Sequence, residues 1–175
     1  MNEIDILARQ TRNTYGWVNR LLAGVPYEQW DEMPDVIQSN ITWQAGHLLV
    51  SFYFHTIMVV KGHQMDILQS MPMKEYGTVF MGKPAAAAGR FAPEKLLADL
   101  AVMQAKSLAV IDSLKEAELA HSLLPVQPHP VANTIREALE WNIQHAMWHL
   151  GQVGMLSRVL GRPYSFSLGG NSQPE

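Results

Sequence analysis

His145 and His149 stand four residues apart in the segment QHAMWHLGQ. In a helix this spacing stacks both imidazoles on one face, one turn apart, so a single helix offers two ligands to one metal ion. The pair continues a row of Ala138, Asn142, Val153, Leu156 and Leu160, so both rings are predicted to point into a protein interior. A buried imidazole needs a partner for each polar nitrogen, and metal binding would supply a shared one. Separate hydrogen bonds from each ring are the plainer alternative. His47 adds a third ring, on a helical row with Gln44, Ser51, Phe54 and Met58. Three inward histidines from two helices suffice for a site of the zinc type with an open fourth position. Gly46, beside His47, leaves room for a close approach by another helix.

The other four histidines carry weaker signals. His55 is eight residues beyond His47, which at about 100° per residue turns it about 80° off the same face. His63 follows a helix-ending glycine, and His121 lies near the end of a helix. His129 sits between Pro128 and Pro130, where no helix can form. All four are read as solvated or structural.

Elements long enough to position such a site are visible in the apolar periodicity. One helix is expected over 2–23, with Ile4, Leu7, Thr11, Thr14, Val18 and Leu21 at steps of three and four. A second begins at Asn40, a good N-cap, and ends before Gly62. A third starts at Pro93, a favoured first-turn residue. The fourth opens at Asn133 or Thr134, where Glu137 is placed to complete a capping box, and stops before Gly161 and Pro163. No stretch alternates with period two. The expected fold is therefore all-α, a four-helix bundle occupying 1–165, with 166–175 as a flexible tail. About thirty residues, rich in Met, Pro and Gly, join helices two and three. A tight helix pair needs only about 2–8. A connection of that length can run the whole bundle, making helices two and three parallel, and can also fold over a site as a lid.

Bulk properties exclude several function classes. The 175 residues suffice for one domain with a real core, and 47% are apolar. No cysteine is present, which removes disulfides, thiolate metal sites and a cysteine nucleophile together. The net charge is -3 with no basic run, so neither nucleic acid nor an anionic membrane is an expected partner. The acidic N-terminus does not read as a signal peptide, and the most apolar stretch, 48–60, is too short to span a bilayer. A cytoplasmic location is expected.

With ITWQAGHLL around His47 and TIREALEWNIQHAMWHLGQVGMLSRVLGRP around His145 and His149, the chain resembles the DinB-like (YfiT-like) family of metal-dependent four-helix-bundle proteins. The match follows most of the chain in order and spacing. The resemblance implies a long crossover between helices two and three, and a divalent metal, often nickel or zinc, held by His47, His145 and His149. It also implies, for some members, transfer or isomerisation of a small-molecule substrate with a low-molecular-weight thiol, and frequent homodimers.

Neutral imidazoles leave the charge of such an ion uncompensated. The site could activate water or hold a thiol as thiolate, and here the thiol would have to come from a cosubstrate. Imidazole ligands alone do not choose between zinc, nickel, copper and iron. Hydrolysis is less favoured, because Ala146 stands where an HExxH helix carries its general base. Gln152, three residues after His149, could orient a ligand or simply bond between helices. Trp43, Trp141 and Trp148 are assigned packing roles. Leu139, Ile143, Met147 and Leu150 form a second apolar face on helix four, suited to a dimer or to a crowded core. The expected function is a metal-dependent enzyme, a thiol-dependent transferase or isomerase. The alternative is a non-catalytic bundle that binds a metal or small ligand.

Overall fold

Side-chain caps start three of the four long helices where the sequence places them, and Pro93 in the first turn starts the other. The structure, a computed structural model, describes residues 2–166. In α1 (Glu3–Ala23), Asn2 Oδ1 accepts from the Asp5 amide while Asp5 accepts from the Asn2 amide. Ile4, Leu7, Thr11, Thr14 and Val18 are buried, as their spacing predicts. The second helix, α2, begins as Ile41–Phe52 with Asn40 Oδ1 accepting from the Trp43 amide at 2.8 Å. It then widens into a π-helical segment, Tyr53–Met58, and closes with Val59–Lys61 before Gly62 at φ 80°. Inside that segment Thr56 Oγ1 lies 2.6 Å from the Phe52 carbonyl and 2.7 Å from Ser107 Oγ. A side chain that takes the i−4 carbonyl competes with the α-helical ladder. Long helices α5 (Pro93–Asp112) and α6 (Ile135–Val159) complete the bundle, α6 with the Thr134–Glu137 capping box in place.

Side-chain pairs set the helix directions. Asn19 meets Gln104 and Arg12 meets Asp112, so α1 and α5 are antiparallel. Glu3 pairs with Arg136 and Tyr15 with Asn142, so α1 and α6 are parallel. Gln44 meets Gln152 near the start of α2 and the end of α6, so these two run antiparallel. Thr56 meets Ser107, and Asp66 just beyond α2 meets Lys106, which leaves α2 and α5 parallel. The main packed pairs are α1 with α5 and α6, and α2 with α5 and α6. The chain is an all-α bundle with the expected long crossover, and no β-strand occurs among the described residues.

The crossover itself is more ordered than an irregular loop. It carries two short helices, α3 (Met65–Ser70) and α4 (Met73–Phe80). Met73, Tyr76, Val79 and Phe80 are buried at helical spacing, a pattern too short to stand out beside Gly77 and the flanking prolines. Helix α4 packs on α2, and Tyr76 donates to the buried Asp99 at 2.6 Å. The connection is thus a wall of the bundle rather than a free lid.

Apolar burial forms two clusters. The larger includes Trp30, Phe52, Phe80, Leu100 and Val153; the smaller gathers Ile4, Val59, Leu119 and Leu139 at the end where α1 and α6 begin. The second apolar face expected on the fourth helix divides. Leu139 is buried in the smaller cluster and Leu150 in the larger, Ile143 is half-buried, and Met147 is exposed. Most of the expected C-terminal tail, 167–175, lies outside the described residues.

Candidate metal centre

Three ring nitrogens converge between α2 and α6. His145 Nε2 lies 3.4 Å from His47 Nε2 and 3.1 Å from His149 Nε2. Ligand atoms of all three residues lie within 4.8 Å of one another. Two nitrogens on a tetrahedral ion with bonds of about 2.0–2.1 Å stand about 3.3 Å apart, so the observed spacing fits a common ligand sphere. His149 is buried, and His47 and His145 are half-buried.

The outer nitrogens show why these lone pairs face inward. His47 Nδ1–H donates to the Phe80 carbonyl at 2.9 Å, and His149 Nδ1–H donates to Gln44 Oε1 at 2.7 Å. Each bond places the proton on Nδ1 and leaves Nε2 bare, as a ligand requires. Gln44 is fully buried and completely used: its amide nitrogen donates to Ser39 Oγ and to Gln152 Oε1, both at 2.9 Å. Gln152 is exposed and acts here as an interhelical bond that steadies Gln44. Phe80 reaches His47 because Gly46 has no side chain; a Cβ there would stand 2.3 Å from the Phe80 ring. Trp43 stacks on His47 with ring centroids 4.6 Å apart and donates its indole N–H to Gly82 O.

Burial keeps these rings neutral. It lowers His47 below the usual histidine range, takes His145 down to about 4 and His149 down to about 3, with mutual repulsion among the rings adding to the latter two. Neutral imidazole is the ligating form, so the donors are ready near neutral pH. Among the described residues no carboxylate or thiolate joins the cluster, and three neutral donors would leave a divalent ion its full charge.

The three rings were legible from spacing, and the structure brings all of them together. Two histidines read from the sequence as solvated or structural lie beside the site, one of them closer than α-helical rotation predicted. His55 is buried, its ring 5.2 Å from that of His145, and its Nδ1 lies 2.8 Å from His129 Nε2. A π turn uses more residues per revolution than an α turn, so the rotation from His47 to His55 is smaller than α pitch gives. Nothing local in the sequence marked that widening. His63 and His121 are exposed, as expected, although His63 Nδ1 reaches Tyr53 Oη. The site opens on a cleft of about 610 Å³ lined by His47, His55 and His145, by the Met58, Met73 and Met81 side chains, and by Trp141.

Comparison with known proteins agrees with this architecture. No curated protein matches the chain. A structure described as the conserved protein of locus from Enterococcus faecalis superposes with a TM-score of 0.70 at 19% identity, covering 92% of this chain and 99% of that one. That likeness concerns the fold. The family model of the DinB superfamily matches residues 10–153, from the first helix past all three converging histidines, and the chain belongs to that superfamily.

Proposed function

We propose that His47, His145 and His149 hold one divalent ion, nickel or zinc, in a metal-dependent enzyme. Its reaction is the transfer or isomerisation of a small electrophile with a low-molecular-weight thiol as cosubstrate. The observation that carries this reading is the convergence of three Nε2 atoms, two of them with their tautomers set by the Phe80 carbonyl and Gln44. The bound ion would supply Lewis acidity and make a thiol nucleophilic at neutral pH, which a chain without cysteine needs from outside. The residues themselves orient and exclude. Apolar walls from α2, α4 and Trp141 would hold the body of a small molecule and displace water, while the half-buried face of His145 stays open to it.

A second reading is a bundle that binds metal without turnover, since among the described residues no carboxylate joins the cluster to serve as a general base. Turnover of an electrophile with a panel of thiols, measured above free metal, separates the two. Among the described residues no helix is long and apolar enough to cross a membrane, which accords with the proposed cytoplasmic location. The proposed homodimer would use the exposed strip of Met147, Trp148, Met155 and Val159 on α6.

Elemental mass spectrometry on untagged protein tests the site. Wild type should carry close to one nickel or zinc per chain, and a His47→Ala, His145→Ala variant should lose it while helical circular dichroism persists. Wild type that binds neither metal after incubation would end the metal reading.

A further inference from the structure

The His55–His129 pair is not needed to hold a metal, yet its hydrogen bonds specify its protonation fully. His129 Nδ1 lies 2.9 Å from the Ala132 amide and 3.3 Å from the Val131 amide. A backbone N–H can only donate, so His129 Nδ1 is the acceptor and its proton sits on Nε2. That Nε2–H must then donate to His55 Nδ1, 2.8 Å away. His55 Nδ1 is in turn the acceptor, and the His55 proton sits on its own Nε2. Phe54 stacks on the His129 ring with centroids 5.3 Å apart and an interplanar angle of 8°, fixing the ring plane. Two backbone amides thus dictate the tautomer of a side chain two steps away.

The His55 Nε2–H has no protein acceptor among the described residues, and it is not sealed from solvent, so water entering the cleft can take the bond. His55 lines the cleft, beside His145 and among apolar side chains such as Met58 and Phe54. A ligand that displaces this water must bring an acceptor of its own or leave the donor unsatisfied. The π segment Tyr53–Met58 is what turns His55 toward this space, and π turns inside α-helices recur at functional sites. A divalent ion on three neutral imidazoles would also favour an anionic group at the same end of the cleft.

We infer that His55 is a ligand-binding residue, a neutral N–H donor held in one tautomer by His129, which receives a carboxylate oxygen of an apolar small molecule seated in the cleft. His129 is a positioning residue that acts through His55. The inference builds on the proposed metal centre only for the ligand's charge preference; the tautomers belong to the metal-free chain.

The experiment has two arms on the full chain. Imidazole nitrogen NMR of metal-free protein should show both His55 and His129 protonated on Nε2. His129→Phe should abolish the single His55 tautomer, and His129→Gln, which keeps an N–H donor, should restore it. Phenylacetate is the binding probe, titrated calorimetrically into metal-free and zinc-loaded protein. His55→Phe should weaken its binding tenfold or more, and His55→Gln should recover most of the loss, with helical circular dichroism unchanged in both variants. A His55 protonated on Nδ1, equal phenylacetate binding by wild type and His55→Phe, or no binding by wild type in either form would overturn the inference. Failure of the metal reading shows separately, as absent zinc binding in a wild type whose two tautomers are still as stated.

Discussion

Gln44 concentrates the design of the site in one side chain. Its carbonyl oxygen takes the His149 proton and its amide nitrogen ties Ser39 on one side and Gln152 on the other. Replacing it by Leu keeps the volume but frees the His149 tautomer. Metal affinity is expected to fall about 10–100-fold, the usual cost of losing an outer partner. A chelator competition titration checks this. The buried His149 Nδ1–H left without its acceptor, and Ser39 Oγ without its donor, should also cost about 1–3 kcal/mol in urea unfolding. Acid should act on the same residues. The folded pKa of His145 is depressed to about 4 and that of His149 to about 3, against 6.5 for an unperturbed histidine. Below pH 6.5 the unfolded chain therefore takes up protons that the folded chain refuses, so stability falls as pH falls from about 6.5 towards about 4. Urea midpoints of metal-free protein measured across that range should decline, and a His145→Gln, His149→Gln variant should show a flatter slope.

Between elements, the decisive contact is the seat of α4 on α2. Gly46 lets the Phe80 ring lie against the α2 backbone, and the Phe80 carbonyl then orients His47. Gly46→Ala would put a methyl group 2.3 Å from that ring, so Phe80 must move. Overpacking of this kind costs about 1–3 kcal/mol. Because the displaced residue holds His47, metal affinity should fall as well. Leu119→Ala is the control. Leu119 is fully buried in the smaller apolar cluster, which includes none of the three converging histidines, and truncation there costs about 2–5 kcal/mol. It should lower stability at least as much as Gly46→Ala and leave metal affinity unchanged under folding conditions. Equal losses of affinity in the two variants would show that Gly46 matters only through global stability.

For the whole molecule, the up-down-down-up arrangement places α2 antiparallel to α6, which brings the start of α2 level with the later half of α6. His47 therefore meets His145 and His149 across about a hundred residues of chain. The exposed apolar strip on α6 bears on assembly. Trp148 is 68% exposed, although its ring meets Trp141 edge-on, and Met147 and Met155 are about half exposed. If the proposed homodimer forms there, Trp148→Glu should convert it to monomer, with unchanged circular dichroism, in sedimentation velocity. A wild type that sediments as a monomer across micromolar concentrations would rule the contact out.

The sequence by itself determined the four long helices, how they start, and the identity of the three converging histidines. Asn2, Asn40 and Thr134 satisfy orphan amides within their own first turns, and His145 and His149 share a face through the helical repeat alone; these are local effects that neighbouring residues decide. Loop length also carried the crossover, since thirty residues have the reach to make α2 and α5 parallel. Tertiary structure decided the rest. The α4 helix is only eight residues long and owes its stability to burial against α2, a contact no short window contains. The role of the Phe80 carbonyl follows from the same packing. His55 joined the site because a π segment changed the rotation of α2, at a place where Thr56 bonds across to Ser107 on a distant helix. A periodicity argument assumes one pitch throughout, and only packing between helices selects the turn where that pitch gives way.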